Sequence, residues 1–150
     1  MAHTFTSLHA HLVFSTKERK PFLGPELRDR LFPYIGGIIR EMKGAPLIIN
    51  GVEDHVHILA GMPSTVAISD FMRDLKSNSS SWVKESFATH RDFGWQTGYA
   101  AFSVSKSAIE DVRSYIARQE EHHRRMSFKE ELIALLKRHE ITYDERFVFE

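Results

Sequence analysis

The sequence predicts an α+β fold: a ferredoxin-like β-α-β-β-α-β sandwich with an antiparallel sheet, followed by C-terminal helices. Two observations predict it. Between residues 8 and 104 the apolar positions switch from a period of two to a helical period of about 3.6 and back, in the order strand, helix, hairpin, helix, strand. Beyond them, two capping-box patterns, Ser107 with Glu110 and Ser127 with Glu130, announce further helices.

Taken in order, Leu8 to Thr16 alternates as a strand, with Leu8, Ala10, Leu12 and Phe14 on one face and His9, His11, Val13 and Ser15 on the other. Leu27, Leu31, Ile35, Ile38, Ile39 and Met42 then recur at helical spacing up to Gly44. Pro33 inside that run predicts a kink or a late start. Pro46 to Val52 and His55 to Met62 read as a hairpin closed by the turn Gly51 to Asp54. Ile68, Phe71, Met72, Leu75, Ser79, Trp82 and Val83 mark a second helix ending near Phe87, with Trp82 in the core. An irregular loop, His90 to Gly98, leads to a fourth strand, Tyr99 to Val104. In this topology both helices cover one sheet face, and strands one and three are central. The other face then needs a cover. The helix after Ser107 supplies it through Ala108, Ile109, Val112, Tyr115, Ile116 and Gln119, and the helix after Ser127 carries Phe128, Leu132, Leu135 and Leu136. Residues 141–150 are expected to dock as an extended arm.

The 150 residues, 42% hydrophobic and 27% charged, suit one domain: a core over about 5–105, a helix over about 107–120, and a C-terminal helix and tail over about 127–150. No long apolar run and no basic leader open the chain, so a soluble cytoplasmic protein without a membrane span is expected. Zero cysteines exclude disulfides, thiolate zinc sites and Cys nucleophiles. Twenty basic residues balance twenty acidic ones, which speaks mildly against a strongly basic nucleic-acid module.

The stretch with most chemical content is Glu53-Asp54-His55-Val56-His57-Ile58-Leu59. On a strand, His55 and His57 share a face, and two neighbouring imidazoles are half of a divalent-metal site. Alone, such a pair is a weak signal. Tyr115 and Gln119 are four residues apart and share the inner side of a helix, although an inner tyrosine is as a rule core. Together, two imidazoles, an amide oxygen and a phenol complete a set for phosphodiester chemistry: the metal polarises a phosphate and the phenol attacks it. With a free pKa of about 10, the phenol needs assistance near neutrality.

At these residues the chain resembles the single-tyrosine HUH transposases of small bacterial insertion sequences (IS200-like), including the REP-associated tyrosine transposases. The matching pieces are His11-Leu12-Val13-Phe14 with Thr16-Lys17, Glu53 to His57, Leu75-Lys76-Ser77 with Ser79-Ser80, Trp95-Gln96 with Gly98-Tyr99, and Tyr115 to His123. The resemblance implies His55, His57 and Gln119 as ligands of Mg²⁺ or Mn²⁺, and Tyr115 as the nucleophile that becomes joined to a 5′-phosphate. It also implies single-stranded DNA with imperfect hairpins as substrate, and a homodimer in which the site is often shared between subunits. Arg118, where the family often carries a smaller polar residue, and the neutral net charge are departures.

Lys17, Arg19, Arg73, Lys76, Arg118, His122 and Arg124 are candidates for DNA contact, with a solvated face as the plain alternative. His122 and His123 read by default as part of a solvated basic run. His9 and His11 are assigned to packing or to contacts behind the metal ligands. Trp95 and Tyr99 could stack on bases or serve as core. Two rivals to the transposase remain: a catalytically silent or domesticated single-strand or hairpin binder, and a metal-dependent phosphodiesterase for small substrates.

Overall fold

A computed structural model of the chain describes residues 3–148. Four strands, β1 (His9–Ser15), β2 (Ala45–Gly51), β3 (His55–Gly61) and β4 (Ala100–Val104), form one antiparallel sheet in the order β2-β3-β1-β4. Helices α1 (Pro25–Glu41) and α2 (Ile68–Ser86) complete the predicted β-α-β-β-α-β order. Their packing follows from the alternation. Ala10, Leu12 and Phe14 of β1 and Val56, Ile58 and Ala60 of β3 point to one face and bury against Leu31, Ile35 and Ile39 of α1 and Phe71, Met72 and Leu75 of α2. At about 1.5–3 kcal/mol for each buried large apolar side chain, this layer dominates the favourable side of folding.

Pro33 neither delays nor divides α1, which runs from Pro25 to Glu41. The proline lies on the exposed side, where the carbonyl left without an amide partner can bond to water. Pro46 sits in the edge strand β2, next to an irregularity between Pro46 and Ile48, where a missing amide donor costs least. Trp82 is only partly buried and stacks on Tyr34 with centroids 4.5 Å apart.

The second sheet face carries the rows Asn50, His57, Val13, Ala100 and Ile48, Leu59, His11, Phe102, read across the register of the four strands. Three further helices cover it: α3 (Ile109–Ala117), α4 (Gln119–His122) and α5 (Phe128–Arg138). Helix α3 packs Ile109 and Ile116 on Leu59, with Leu47, Ile48 and Val112 around them. Helix α5 packs Phe128, Leu132, Leu135 and Leu136 on Val13 and Phe102, joined by Tyr143 and Val148 of the tail. Each covers one half of the sheet, leaving a seam above its centre.

Two expectations about these helices are corrected. The box at Ser107 does not form, because Lys106–Ala108 is a 3₁₀ turn and the Ser107 hydroxyl meets that of Ser105 at 3.1 Å. Nor do Tyr115 and Gln119 share one helix: Arg118, at φ −100° and ψ 29°, separates α3 from α4. The box of Ser127 and Glu130 is present at the start of α5. Asn50 of β2 donates its side-chain amide to the carbonyl oxygens of Ile116 and Ala117 at 2.9 and 3.3 Å, fixing the end of α3 over the sheet.

Gly51 closes β2 where the chain turns toward His55. A Cβ there would overlap the His55 carbonyl oxygen and crowd the backbone of Val56. Gly51→Ala is therefore expected to destabilise the fold by about 1–3 kcal/mol, the usual range for overpacking. Urea denaturation measures this, and a change below about 0.5 kcal/mol would contradict the close approach.

Candidate active site

The seam between α3 and α5 holds a buried polar group at the centre of an otherwise apolar layer. Strand β3 contributes His55 and His57, both fully buried. Between the helices, α4 and the turn after it bring Gln119 and His123. The remaining member is Glu131 of α5, which is 1% exposed. One of its oxygens, Oε1, lies 2.9 Å from His57 Nε2, 3.0 Å from His123 Nε2 and 3.3 Å from His55 Nε2. The other, Oε2, accepts hydrogen bonds from the Tyr115 hydroxyl and, at 3.2 Å, from the Gln119 side-chain amide. Gln119 Oε1 stands 3.3 Å from His55 Nε2. The structure thus brings Tyr115, His55, His57 and Gln119 together within one chain.

Two residues of this group were not anticipated. The sequence puts His123 in a solvated basic run, whereas its side chain is 11% exposed and faces Glu131. Glu131 is outside the expected set, although its signal is present: Phe128, Glu131, Leu132, Leu135 and Leu136 form one helical stripe, and an acid among buried apolar residues requires a partner. Likewise, His123 continues the spacing of four that links Tyr115 to Gln119.

Each imidazole is also held from behind. His55 Nδ1 lies 2.7 Å from Asp54 Oδ1, His123 Nδ1 2.9 Å from the Met126 carbonyl oxygen, and His57 Nδ1 2.8 Å from His11 Nε2. His11 therefore contacts a candidate ligand from behind, as expected, whereas His9 Nδ1 is buried without a partner. A carbonyl oxygen and an ionised carboxylate can only accept, so the Nδ1 protons of His123 and His55 are committed to them. Their Nε2 atoms then face a carboxylate oxygen, and only a proton or a cation can stand between. One donor atom from each of His55, His57, His123 and Glu131 lies within 4.8 Å of the others. Three imidazole nitrogens and a carboxylate, oriented by groups behind them, fit a divalent metal.

The electrostatics follow from this packing. Burial alone would raise Glu131, but its bonds with His123, His55 and His57 hold it far below the ordinary carboxylate range. For His55, burial is outweighed by the bonds to Asp54 and Glu131, and its pKa rises. Burial keeps His57 low, and burial together with His57 lowers His11 to about 3. The Tyr115 hydroxyl is raised, first by burial and then by Glu131.

The DNA-contact candidates divide by location. Arg118 is exposed at the rim of a cleft of about 730 Å³ that reaches Tyr115 between β4, α3 and α5, with Arg138 and His139 at the same rim. The His122 ring lies 4.6 Å from that of Tyr115. Lys76 gives its ammonium to the carbonyl oxygens of Gln96, Thr97 and Gly98 at 2.6, 3.3 and 2.8 Å, so its donors serve the loop. Arg73 pairs with Asp70 and Asp74 on an exposed face. Lys17 and Arg19 form the exposed turn after β1, and Arg124 is exposed after α4. Trp95 is a packing residue: it donates to Ser79 Oγ at 2.9 Å and lies edge-on to Phe14. Tyr99 is partly exposed.

A pH dependence follows for the protein in chelator. The folded chain leaves His11 unprotonated between its unfolded pKa of 6.5 and about 3, whereas the unfolded chain takes up the proton, so stability falls as pH drops through that window. Glu131 acts in the same direction below its unfolded value of 4.5. The thermal midpoint should fall steadily from about pH 7 to about pH 4, and His11→Gln should flatten the upper part of that curve. An unchanged slope in the variant would contradict the buried, neutral His11.

Comparison with known proteins identifies the family. A family model described as "Transposase IS200 like" matches residues 4–119. The transposase for insertion sequence element IS200 of Salmonella typhimurium LT2 is 31% identical over 130 residues, covering 79% of this chain and 81% of the relative. The ISDra2 transposase TnpA of Deinococcus radiodurans is 26% identical over 117 residues, covering 75% and 84%. Among solved structures, a candidate transposase from Deinococcus radiodurans R1 superposes with a TM-score of 0.66 at 24% identity, over 79% of this chain and 95% of the other. A REP-associated tyrosine transposase bound to a REP hairpin gives 0.55 at 12% identity, over 79% and 68%. The sheet, both β3 histidines, Tyr115 and Gln119 all fall within the matched residues, and the chain belongs to the IS200-like transposase family.

Proposed function

We propose that this transposase nicks and rejoins single-stranded DNA at hairpin-bearing ends through a covalent bond between Tyr115 and a 5′-phosphate. One observation carries the reading. The Tyr115 hydroxyl and three imidazole nitrogens meet on the two oxygens of a single buried carboxylate. A binding module has no use for that convergence, whose desolvation costs several kcal/mol per ion. The hairpin preference rests on the likeness to the REP-associated enzyme, whose structure holds a REP hairpin.

A divalent ion held by His55, His57 and their neighbours would polarise the scissile phosphate and offset its charge. Of Mg²⁺ and Mn²⁺, the second accepts imidazole nitrogen more readily. The cleft beside Tyr115 admits a strand, and Arg118 and Arg138 at its rim suit a phosphate backbone. The Tyr115 oxygen bonds to phosphorus as the bond to the 3′-oxygen breaks. One proton leaves the phenol and one arrives at the 3′-oxygen, so the step needs no net acid or base. Half-buried and paired with the Glu131 carboxylate, the phenol is held protonated, and a bound cation beside it would ease loss of its proton. The phosphotyrosine bond keeps the energy of the broken backbone for rejoining.

Incubation with strands from the flanks of the gene and Mn²⁺ should give a protein–DNA adduct that survives denaturing electrophoresis. Tyr115→Phe should abolish it with DNA affinity nearly unchanged, because only the nucleophilic oxygen is lost. An adduct formed by that variant would place the nucleophile elsewhere.

The set is assembled within one chain, which supports Tyr115 acting with the histidines of its own subunit. Mixing Tyr115→Phe protein with His57→Ala protein should therefore restore no cleavage. Activity recovered in the mixture would establish a site shared between subunits.

A further inference from the structure

We propose that Glu131 joins the metal to the nucleophile: Oε1 is a ligand of the ion held by His55, His57 and His123, and Oε2 holds the Tyr115 hydroxyl. The inference deepens the reading above and rests on it for the role of Tyr115. It concerns a residue of α5, which lies outside the residues matched by the family model.

The first argument is the direction of the lone pairs. His55 and His123 spend their Nδ1 protons on Asp54 and on the Met126 carbonyl, so what stands between each Nε2 atom and Glu131 Oε1 is a further proton or a cation. Acceptors facing an acceptor at 3.3 and 3.0 Å repel unless a positive centre lies among them. His57, backed by His11, directs its Nε2 to the same oxygen at 2.9 Å. Three nitrogens converging on one oxygen, each fixed from behind, describe a coordination sphere in which that oxygen is itself a ligand.

The second argument is that the fold does not need the acid. Glu131 lies on the stripe by which α5 packs, between Phe128 and Leu135. An apolar side chain of similar size would bury there without the cost of desolvating a carboxylate. The third argument is the division of labour between the two oxygens. While Oε1 faces the imidazoles, Oε2 accepts from Tyr115 and from Gln119, so one rigid carboxylate spans the metal side and the phenol side. For Tyr115, Glu131 is thus a positioning residue, and Gln119 steadies the carboxylate from its other edge.

The test uses the full chain, stripped with chelator, and two substitutions of similar size, Glu131→Gln and Glu131→Leu. Calorimetric titration with Mn²⁺ should show Glu131→Gln weakened by about tenfold or more, as His57→Ala is, while Tyr115→Phe binds Mn²⁺ like the wild type. The rise in thermal midpoint caused by Mn²⁺, taken against each variant's own value in chelator, separates loss of a ligand from loss of stability. If Glu131→Gln fails to fold, Glu131→Leu decides: it removes every ligand atom, and wild-type Mn²⁺ affinity there would overturn the ligand assignment. Wild-type affinity in Glu131→Gln would do the same. The second half is read at saturating Mn²⁺ in single turnovers. Glu131→Gln should form the adduct about 10–100-fold more slowly with unchanged DNA affinity, a split that general loosening would not produce. Adduct formation at the wild-type rate would overturn the positioning role. Should Tyr115→Phe protein still form the adduct, the function proposed above fails, while the Mn²⁺ titration still decides whether Glu131 is a ligand.

Discussion

The antiparallel pairing of β1 with β3 is the constraint on which the molecule depends. Its register sets Leu12 opposite Ile58 and Phe14 opposite Val56 on one face, and Val13 opposite His57 and Ser15 opposite His55 on the other. A slip of one residue would turn the imidazoles into the α1/α2 core and the core residues toward the seam. Stability and chemistry are therefore fixed by the same hydrogen bonds. The central position of the two strands, flanked by β2 and β4, leaves neither with a free edge on which such a slip could begin.

The second layer shows how an apolar cover can hold a polar centre. Helix α3 lies on β2 and β3 and α5 on β1 and β4, each sealed by its own aliphatic contacts, and the charged group fills the line where they meet. His55, His57, Gln119 and Glu131 are buried there, which raises the cost of every unpaired charge and strengthens every paired one. Glu131 is tolerated because five side chains address its two oxygens. The Asn50 bonds to the end of α3 and the Ser127 cap of α5 hold the two walls in place from opposite ends.

Much of this was legible in the sequence, and the reasons for the gaps are physical. Strand faces, the order of elements and the pairing of His55 with His57 follow from a period of two, which survives any detail of packing. The apolar stripe of α5 is equally clear, but whether the acid within it faces solvent or the sheet depends on how α5 is seated against β3. His123 was lost to its neighbours: beside Arg124 and Arg125 it looks solvated, and only the turn after α4 brings it inward. Pro33 neither delays nor divides α1, since a proline disturbs a helix little when the orphaned carbonyl faces water. The Ser107 pattern fits a cap, but the 3₁₀ turn at Lys106–Ala108 moves that serine inside the turn. In the same way, the spacing from Tyr115 to Gln119 gave the right neighbours through a helix that in fact breaks at Arg118.

The meeting of these side chains within one chain has a kinetic meaning under the proposed function. A centre assembled from two subunits disappears on dilution below the dissociation constant of the pair, and its rate then falls with the square of protein concentration. Here β3, α3, α5 and the turn after α4 of one polypeptide carry His55, His57, Tyr115, Glu131 and His123. Cleavage capacity should then scale in direct proportion to the number of chains, down to a handful of copies, and its ceiling is set by encounter with a suitable DNA end.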